Sequence, residues 1–68
     1  MTPDALRAAI SALGWTAGQL GTQLGCHRNL PLAWLSGRAA VPPPVSRWLT
    51  GLARAHQRMP APVGWRVR

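Results

Sequence analysis

Apolar residues recur along this chain at the three- and four-residue spacings of amphipathic helices. Leu6, Ile10 and Leu13 form the first such stripe. Thr2 is a favoured N-cap residue ahead of the stripe, and Gly14 follows it as a favoured helix terminator. A first helix is therefore expected between Thr2 and Gly14.

A capping box precedes the second apolar stripe. Thr16 is a preferred N-cap residue and Gln19 stands three positions later, so each side chain can bond the backbone N–H of the other residue. Leu20 and Leu24 lie four residues apart and are expected to face the core. These features predict a short helix that begins directly after Thr16 and ends at Gly25, which can adopt the left-handed conformation.

The third helix is predicted over about residues 28–36, with Gly37 as its terminator. Leu30 and Trp34 lie four residues apart and are expected to face inward. Gly21, in the preceding helix, has no side chain and lets the third helix cross closely over it. Two short helices joined by a glycine turn at a steep angle are expected to leave the second of them prominent on the surface.

A fourth helix is predicted from Pro44 to about Met59, because a run of prolines forbids helix until its last member. Its apolar face consists of Val45, Trp48, Leu49 and Leu52. Residues 60–68 contain Pro60 and Pro62, cannot continue the helix, and are expected to form a short extended tail.

The four predicted helices make an all-α chain with no strand and a core of about ten apolar side chains. Trp15, Trp34 and Trp48 lie on the apolar stripes and are expected in that core. Trp65 lies in the tail, where its ring is expected to dock on the domain or to pack at a dimer interface. Cys26 is expected to act as a small buried apolar residue in the turn.

Length and composition indicate one small folded domain. The chain has 68 residues, of which 47% are hydrophobic, and no apolar run approaches the roughly 20 residues that span a bilayer. Its start, Met-Thr-Pro-Asp, does not resemble a signal peptide, so a cytoplasmic location is expected. One cysteine and two distant histidines offer neither a disulfide framework nor metal-ligand spacing.

The charge is strongly one-sided. Eight arginines, no lysine and the single acid Asp4 give a net charge of +7, which indicates a polyanionic partner. Nucleic acid fits best, and an anionic membrane surface is the alternative. Arginine suits bidentate contacts to phosphate and guanine. A GC-rich coding sequence also explains the preference for arginine over lysine, but it does not explain the near absence of acids.

Residues 5–57 resemble the phage-repressor-like, Xre-type helix-turn-helix family. The residues that carry the resemblance are Leu20, Gly21, Leu24, Gly25, Cys26, Trp34, Ser36, Gly37, Arg38, Val41 and Pro42. Family members usually have Gln where Ala17 stands, so the backbone contact of that Gln is not carried over. Pro31 stands where a branched apolar residue is normal. In the first turn, where most N–H groups lack helical partners, it is expected to distort the helix start slightly and to place its ring in the core.

The resemblance implies a lambda-repressor-like domain over residues 1–59, followed by a basic tail over residues 60–68. Such a domain places the start of its third helix in the major groove. The side chains expected to read bases are Arg28, Asn29, Leu32 and Ala33. Arg matches guanine, Asn matches adenine, and the two apolar residues match thymine methyl groups. The alternative is that Arg28 and Asn29 are ordinary solvated residues and that Leu32 packs under the loop.

A second set of side chains is expected to contact the DNA backbone: Thr16, His27, Arg38, Arg47, Arg66 and Arg68. His27 falls at the predicted N-cap of the third helix, where capping through a ring nitrogen, or simple exposure, is the alternative. Arg54 and Arg58 are interpreted as solubilising charges that also suit the helix dipole.

The leading hypothesis is a small regulator of transcription, repressor-like and cytoplasmic at the nucleoid, that binds specific double-stranded DNA as a homodimer. No cofactor, metal, membrane or small-molecule ligand is expected. The alternatives are an antitoxin-like or adaptor module that binds protein through the same scaffold, and a non-specific nucleic-acid binder. An enzyme is not expected, because one carboxylate, one thiol and two scattered histidines form no acid–base pair or activated nucleophile.

Overall fold

The computed structural model of the protein describes residues 1–65, which form four α-helices and no strand. The helices are α1 (Pro3–Leu13), α2 (Ala17–Leu24), α3 (Asn29–Ser36) and α4 (Pro43–Arg58). The all-α prediction with four helices is confirmed. Helix α4 begins one residue before the predicted Pro44, because prolines can fill both of the first two positions of a helix, where N–H groups have no helical partner.

The ends of α1 and α2 form as the sequence predicts. Thr2 Oγ1 accepts a hydrogen bond from the Ala5 N–H at 3.0 Å at the start of α1. At the start of α2, Thr16 Oγ1 accepts from the Gln19 N–H at 3.1 Å, and Gln19 Oε1 accepts from the Thr16 N–H at 2.7 Å. Gly25 closes α2 in the left-handed conformation, with φ of 70°. Because each of these bonds links residues close in sequence, the boundaries of α1 and α2 are set locally.

The core lies where α1 packs against α3 and α4 and where α2 packs against α3. Its buried members are Leu6, Ile10, Leu20, Trp34, Val41 and Leu49. Partly buried apolar side chains surround them: Leu13, Trp15, Leu24, Leu35, Ala39 and Val45. The core therefore draws on all four helices and on the segment between α3 and α4.

The inward face of α3 differs from the prediction. Leu30 was expected to face the core, but it is 44% exposed, and Pro31 is fully buried in its place. Pro31 and Trp34 stand three residues apart and share one face of the helix, which leaves Leu30 on the flank. The expectation that the Pro31 ring enters the core is confirmed, whereas the inward placement of Leu30 is wrong.

Trp48 also lies outside the core, contrary to the prediction. Its neighbour Leu49 points from α4 into the core, and one step along a helix turns the next side chain by about 100°. Trp48 is consequently 37% exposed, and its ring rests at an interplanar angle of 38° against Trp15, with centroids 5.8 Å apart. The two tryptophans together cover one edge of the core.

Residues 60–65 follow α4 without helix and are all exposed, with a turn at Val63 and Gly64. The chain is elongated, with extents of 49 × 19 × 18 Å. Within residues 1–65, no helix combines the length and apolar character needed to cross a bilayer.

Candidate nucleic-acid interface

The turn between α2 and α3 is built against Gly21. The Cys26 N–H donates to the Gly21 carbonyl oxygen at 2.9 Å, which folds the turn back onto the helix. A Cβ placed on Gly21 would lie 2.8 Å from the Cys26 carbonyl oxygen and 3.3 Å from the Arg28 nitrogen. The absence of a side chain at Gly21 therefore sets how closely the start of α3 approaches α2, as the sequence predicted. Cys26 itself is half-buried in this turn and not fully buried as expected.

His27 caps α3 through its ring. Its Nδ1 accepts a hydrogen bond from the Asn29 N–H at 3.1 Å, and its carbonyl oxygen accepts from the Leu30 N–H at 3.1 Å. The N-cap position itself is held by Arg28, one residue later than predicted, and the Arg28 side chain makes no capping bond. Since Nδ1 is the acceptor, the proton of the neutral ring lies on Nε2. The exposed ring therefore keeps one N–H donor beside the start of α3.

Three of the four residues expected to read bases lie together. Asn29, Leu32 and Ala33 line one shallow depression of about 500 Å³ on the surface of α3, and Arg38 completes its wall. Asn29 and Leu32 are exposed and Ala33 is half-buried. Arg28 is also exposed but does not line the depression; it lies one residue before the helix begins. The depression thus combines an amide, two apolar side chains and a guanidinium.

Arg38 is held in place by a short chain of hydrogen bonds. Its Nε donates to Ser36 Oγ at 3.0 Å, and Ser36 Oγ donates to the Ala33 carbonyl oxygen at 3.0 Å. The Arg38 backbone N–H donates to the same carbonyl at 3.0 Å. A guanidinium has five N–H donors, so the two terminal nitrogens keep four of them. Sequence reasoning gave Ser36 no role of its own; the only signal was its place two residues before Arg38.

The remaining residues expected to contact DNA backbone are more scattered. Thr16 is exposed, and its hydroxyl oxygen accepts the capping bond from Gln19, which leaves the hydroxyl hydrogen as a donor. Arg47 is exposed on α4 and does not line the depression. Arg66 and Arg68, which are also expected to contact the DNA backbone, lie outside the described residues.

The electrostatic character of the surface follows from the residue count. The chain has eight arginines and a single acidic side chain, Asp4. Asp4 lies in the first turn of α1. Among residues 1–65, no three histidine, cysteine or acidic side chains lie close enough to hold a metal ion. The candidate interface therefore consists of cations, an amide and apolar groups.

Comparisons of the chain with protein-family models, with curated proteins and with solved structures found no match. What the molecule offers for a functional assignment is the Gly21 turn, the ring cap at His27, the depression on α3 and the excess of positive charge. The first three of these features lie together, between Gly21 in α2 and Arg38 just after α3, whereas the arginines are spread along the whole sequence.

Proposed function

We propose that the protein binds specific double-stranded DNA, with α2 and α3 acting as a helix-turn-helix and the start of α3 entering the major groove. The observation that carries this proposal is the depression that joins Asn29, Leu32 and Ala33 to the tethered Arg38. Proteins that read DNA sequence combine side chains whose donors and acceptors match the base edges, apolar contacts for thymine methyls, and cations that contact phosphate. The depression supplies all three on one helix and its end.

In this proposal the bases are read by Arg28, directly before α3, and by residues in the first half of α3. Arg28 is exposed and unused in capping, so its guanidinium can pair with guanine O6 and N7. Asn29 uses only its backbone N–H in the cap from His27, which leaves its amide to pair with adenine N6 and N7. Leu32 and Ala33 contact thymine methyl groups. Each good bidentate pair contributes about 1–3 kcal/mol of discrimination.

Phosphate contacts fix the register of the helix on the duplex. Arg38 presents its four remaining N–H donors from a position fixed by Ser36. His27 presents Nε2–H and Thr16 its hydroxyl, both at helix N-termini, where the dipole also favours an anion. Arg47 adds a further cation from α4. We infer that the protein is a small repressor-like regulator of transcription at the nucleoid, acting as a homodimer on a two-fold operator.

An adaptor that binds another protein is the second candidate. The observation in its favour is the exposure of Leu32, Trp48 and Trp65, the last at 64%. Exposed apolar side chains of this size suit a protein interface. In this reading the positive charge would recruit an acidic partner, and the depression on α3 would hold an apolar side chain. A non-specific nucleic-acid binder would need the charge alone.

A binding selection on random duplex DNA at physiological salt tests the proposal. Arg28→Ala combined with Asn29→Ala should abolish the enriched motif. Arg7→Ala, an exposed α1 residue that lines none of these features, removes the same charge and should leave the motif unchanged. An enriched motif lost only in the α3 variant supports sequence-specific regulation. Binding without a motif that falls equally in both variants would refute it in favour of charge alone, and no binding would favour the adaptor.

A further inference from the structure

An apolar groove lies between the end of α1 and the second half of α4, away from the residues assigned to DNA. This surface, named the α4 groove, has a volume of about 450 Å³ and is lined by Leu13, Trp15, Leu52, Ala55, His56 and Met59. None of these residues lines the depression on α3. The α4 groove is therefore a second surface, and its chemistry is more apolar than that of the depression.

The α4 groove follows one stripe of its helix. Its members at positions 52, 55, 56 and 59 share one face, and Trp48 lies one turn earlier on that face. The Trp48 ring rests against the lining residue Trp15, with centroids 5.8 Å apart. From Trp48 to Met59 the stripe extends roughly 16 Å at about 1.5 Å per residue, which is about three helical turns.

The shape and exposure of this stripe suit inserted apolar side chains. Met59 is 79% exposed and Trp48 is 37% exposed, and the half-buried Leu13, Leu52 and Ala55 lie between the helices. Neighbouring exposed apolar groups of this size are typical of an interaction surface. A groove receives side chains from a peptide, whereas contact with a bilayer needs an apolar face that projects into the lipid.

Arginines flank the groove on one side. Arg47 directly precedes Trp48, and Arg58 directly precedes Met59, so each is turned from the stripe by about 100° in the same sense. Both arginines are exposed. No lining residue is acidic, and Asp4, the single acid of the chain, lies at the other end of α1 from Leu13. This charge disfavours a second copy with its own net charge of +7 and favours an acidic occupant.

We propose that the α4 groove binds an acidic amphipathic helix of a partner protein. Helices bind in grooves through apolar side chains spaced three and four residues apart, which match the stripe. The apolar contacts would hold the complex, while Arg47 and Arg58 would meet carboxylates on the rim and set the orientation of the partner helix. Because the α4 groove and the depression share no residue, a DNA-bound copy keeps this groove open to the partner.

Fluorescence anisotropy with a synthetic probe is the first test. The probe is a labelled peptide of about twelve residues, just over three helical turns, with leucines at three- and four-residue spacing and glutamates at the flanking positions. A scrambled peptide of the same composition keeps the charge and removes the stripe. The full chain should bind the scrambled peptide at least roughly tenfold more weakly than the probe. Equal binding of the two peptides, or no binding of the probe, would overturn the proposal.

Two neighbouring substitutions locate the binding surface. His56→Glu places a carboxylate in the groove, whereas Gln57→Glu places it one residue later, turned away by about 100°. Both positions are exposed, and at about pH 8, where an ordinary histidine is neutral, both variants add the same charge. His56→Glu should weaken binding of the probe by roughly tenfold, because the new carboxylate is desolvated without a partner. Gln57→Glu should weaken it by at most about threefold. Equal losses would contradict the α4 groove as the site.

The role of the rim charges has its own matched pair. Arg58→Ala should weaken binding of the probe by roughly threefold at low salt and hardly at all at high salt. Arg7→Ala removes the same charge from an exposed position on α1 and should have a smaller effect. Equal losses in the two variants would show that net charge, and not the flank of the groove, attracts the peptide, and would refute an acidic helix held at this rim.

Two further measurements separate this proposal from its neighbours. Arg28→Ala combined with Asn29→Ala should bind the probe like the parent protein, so loss of DNA binding and loss of partner binding are distinguishable. Vesicles of phosphatidylglycerol and phosphatidylcholine test a lipid surface in place of the peptide. Vesicle binding that is lost in His56→Glu, together with no binding of the probe, would assign the groove to a membrane and overturn the proposal.

Discussion

Replacing Gly21 with alanine is the most direct test of how the start of α3 is positioned. The new Cβ would lie 2.8 Å from the Cys26 carbonyl oxygen and 3.3 Å and 3.4 Å from the Arg28 N and Cα atoms. All three are backbone atoms, and the hydrogen bond from the Cys26 N–H to the Gly21 carbonyl already ties the turn to α2. The contact can be relieved only if the turn and the first residues of α3 move.

Two opposing effects set the size of the change in stability. Alanine is better than glycine in a helix interior by about 1 kcal/mol, whereas forcing an extra carbon into a packed site typically costs about 1–3 kcal/mol. Gly51→Ala isolates the first effect, because Gly51 is exposed within α4 and its added Cβ meets nothing within 4 Å. The Gly21 variant should therefore be about 1–3 kcal/mol less stable than the Gly51 variant.

Urea and thermal unfolding followed by circular dichroism measure this difference. For a domain of this size each kcal/mol corresponds to about 4–8 °C in Tm. Gly18→Ala is a local control on α2, where the nearest atom to the new Cβ is Thr16 Oγ1 at an ordinary 3.7 Å. Affinity for DNA should fall for the Gly21 variant and not for either control. A Gly21 variant as stable as the Gly51 variant would refute the close approach as a constraint on the turn.

Further substitutions probe the interface and the packing of α3. Arg38→Ala should weaken binding to all DNA sequences alike and reduce the slope of log affinity against log salt concentration by about one unit. Ser36→Ala should weaken binding less and leave that slope unchanged. Fluorescence anisotropy across a salt series measures both effects. His27→Ala removes the ring cap of α3 and should lower the free energy of unfolding by about 1 kcal/mol in urea titrations; an unchanged value would show that the 3.1 Å bond to Asn29 does not stabilise the helix. Leu30→Ala should change the free energy of unfolding by at most about 0.5 kcal/mol, because Leu30 lies on the surface. A loss of several kcal/mol would show instead that Leu30 packs in the core.

The helix ends could be predicted from the sequence because the bonds that form them are local. The Thr2 cap and the capping box of Thr16 and Gln19 each join residues three positions apart, so their geometry does not depend on the rest of the fold. The placement of Leu30 and Trp48 could not be predicted in the same way. Both lie on apolar stripes, and the packing of the neighbouring helices decides which side chains of a stripe enter the core.

The same distinction applies to the candidate site. Asn29, Leu32 and Ala33 stand at positions that share one helix face, so their common depression follows from helical spacing. The position of Arg38 beside this depression depends on the reversal of the chain at Gly37, with φ of 79°, and on the hydrogen bond from Arg38 Nε to Ser36 Oγ. For His27 the sequence left open a capping bond or simple exposure on one side and a contact to DNA phosphate or base on the other, because a histidine ring nitrogen can serve either purpose; the structure shows the capping bond to the Asn29 N–H.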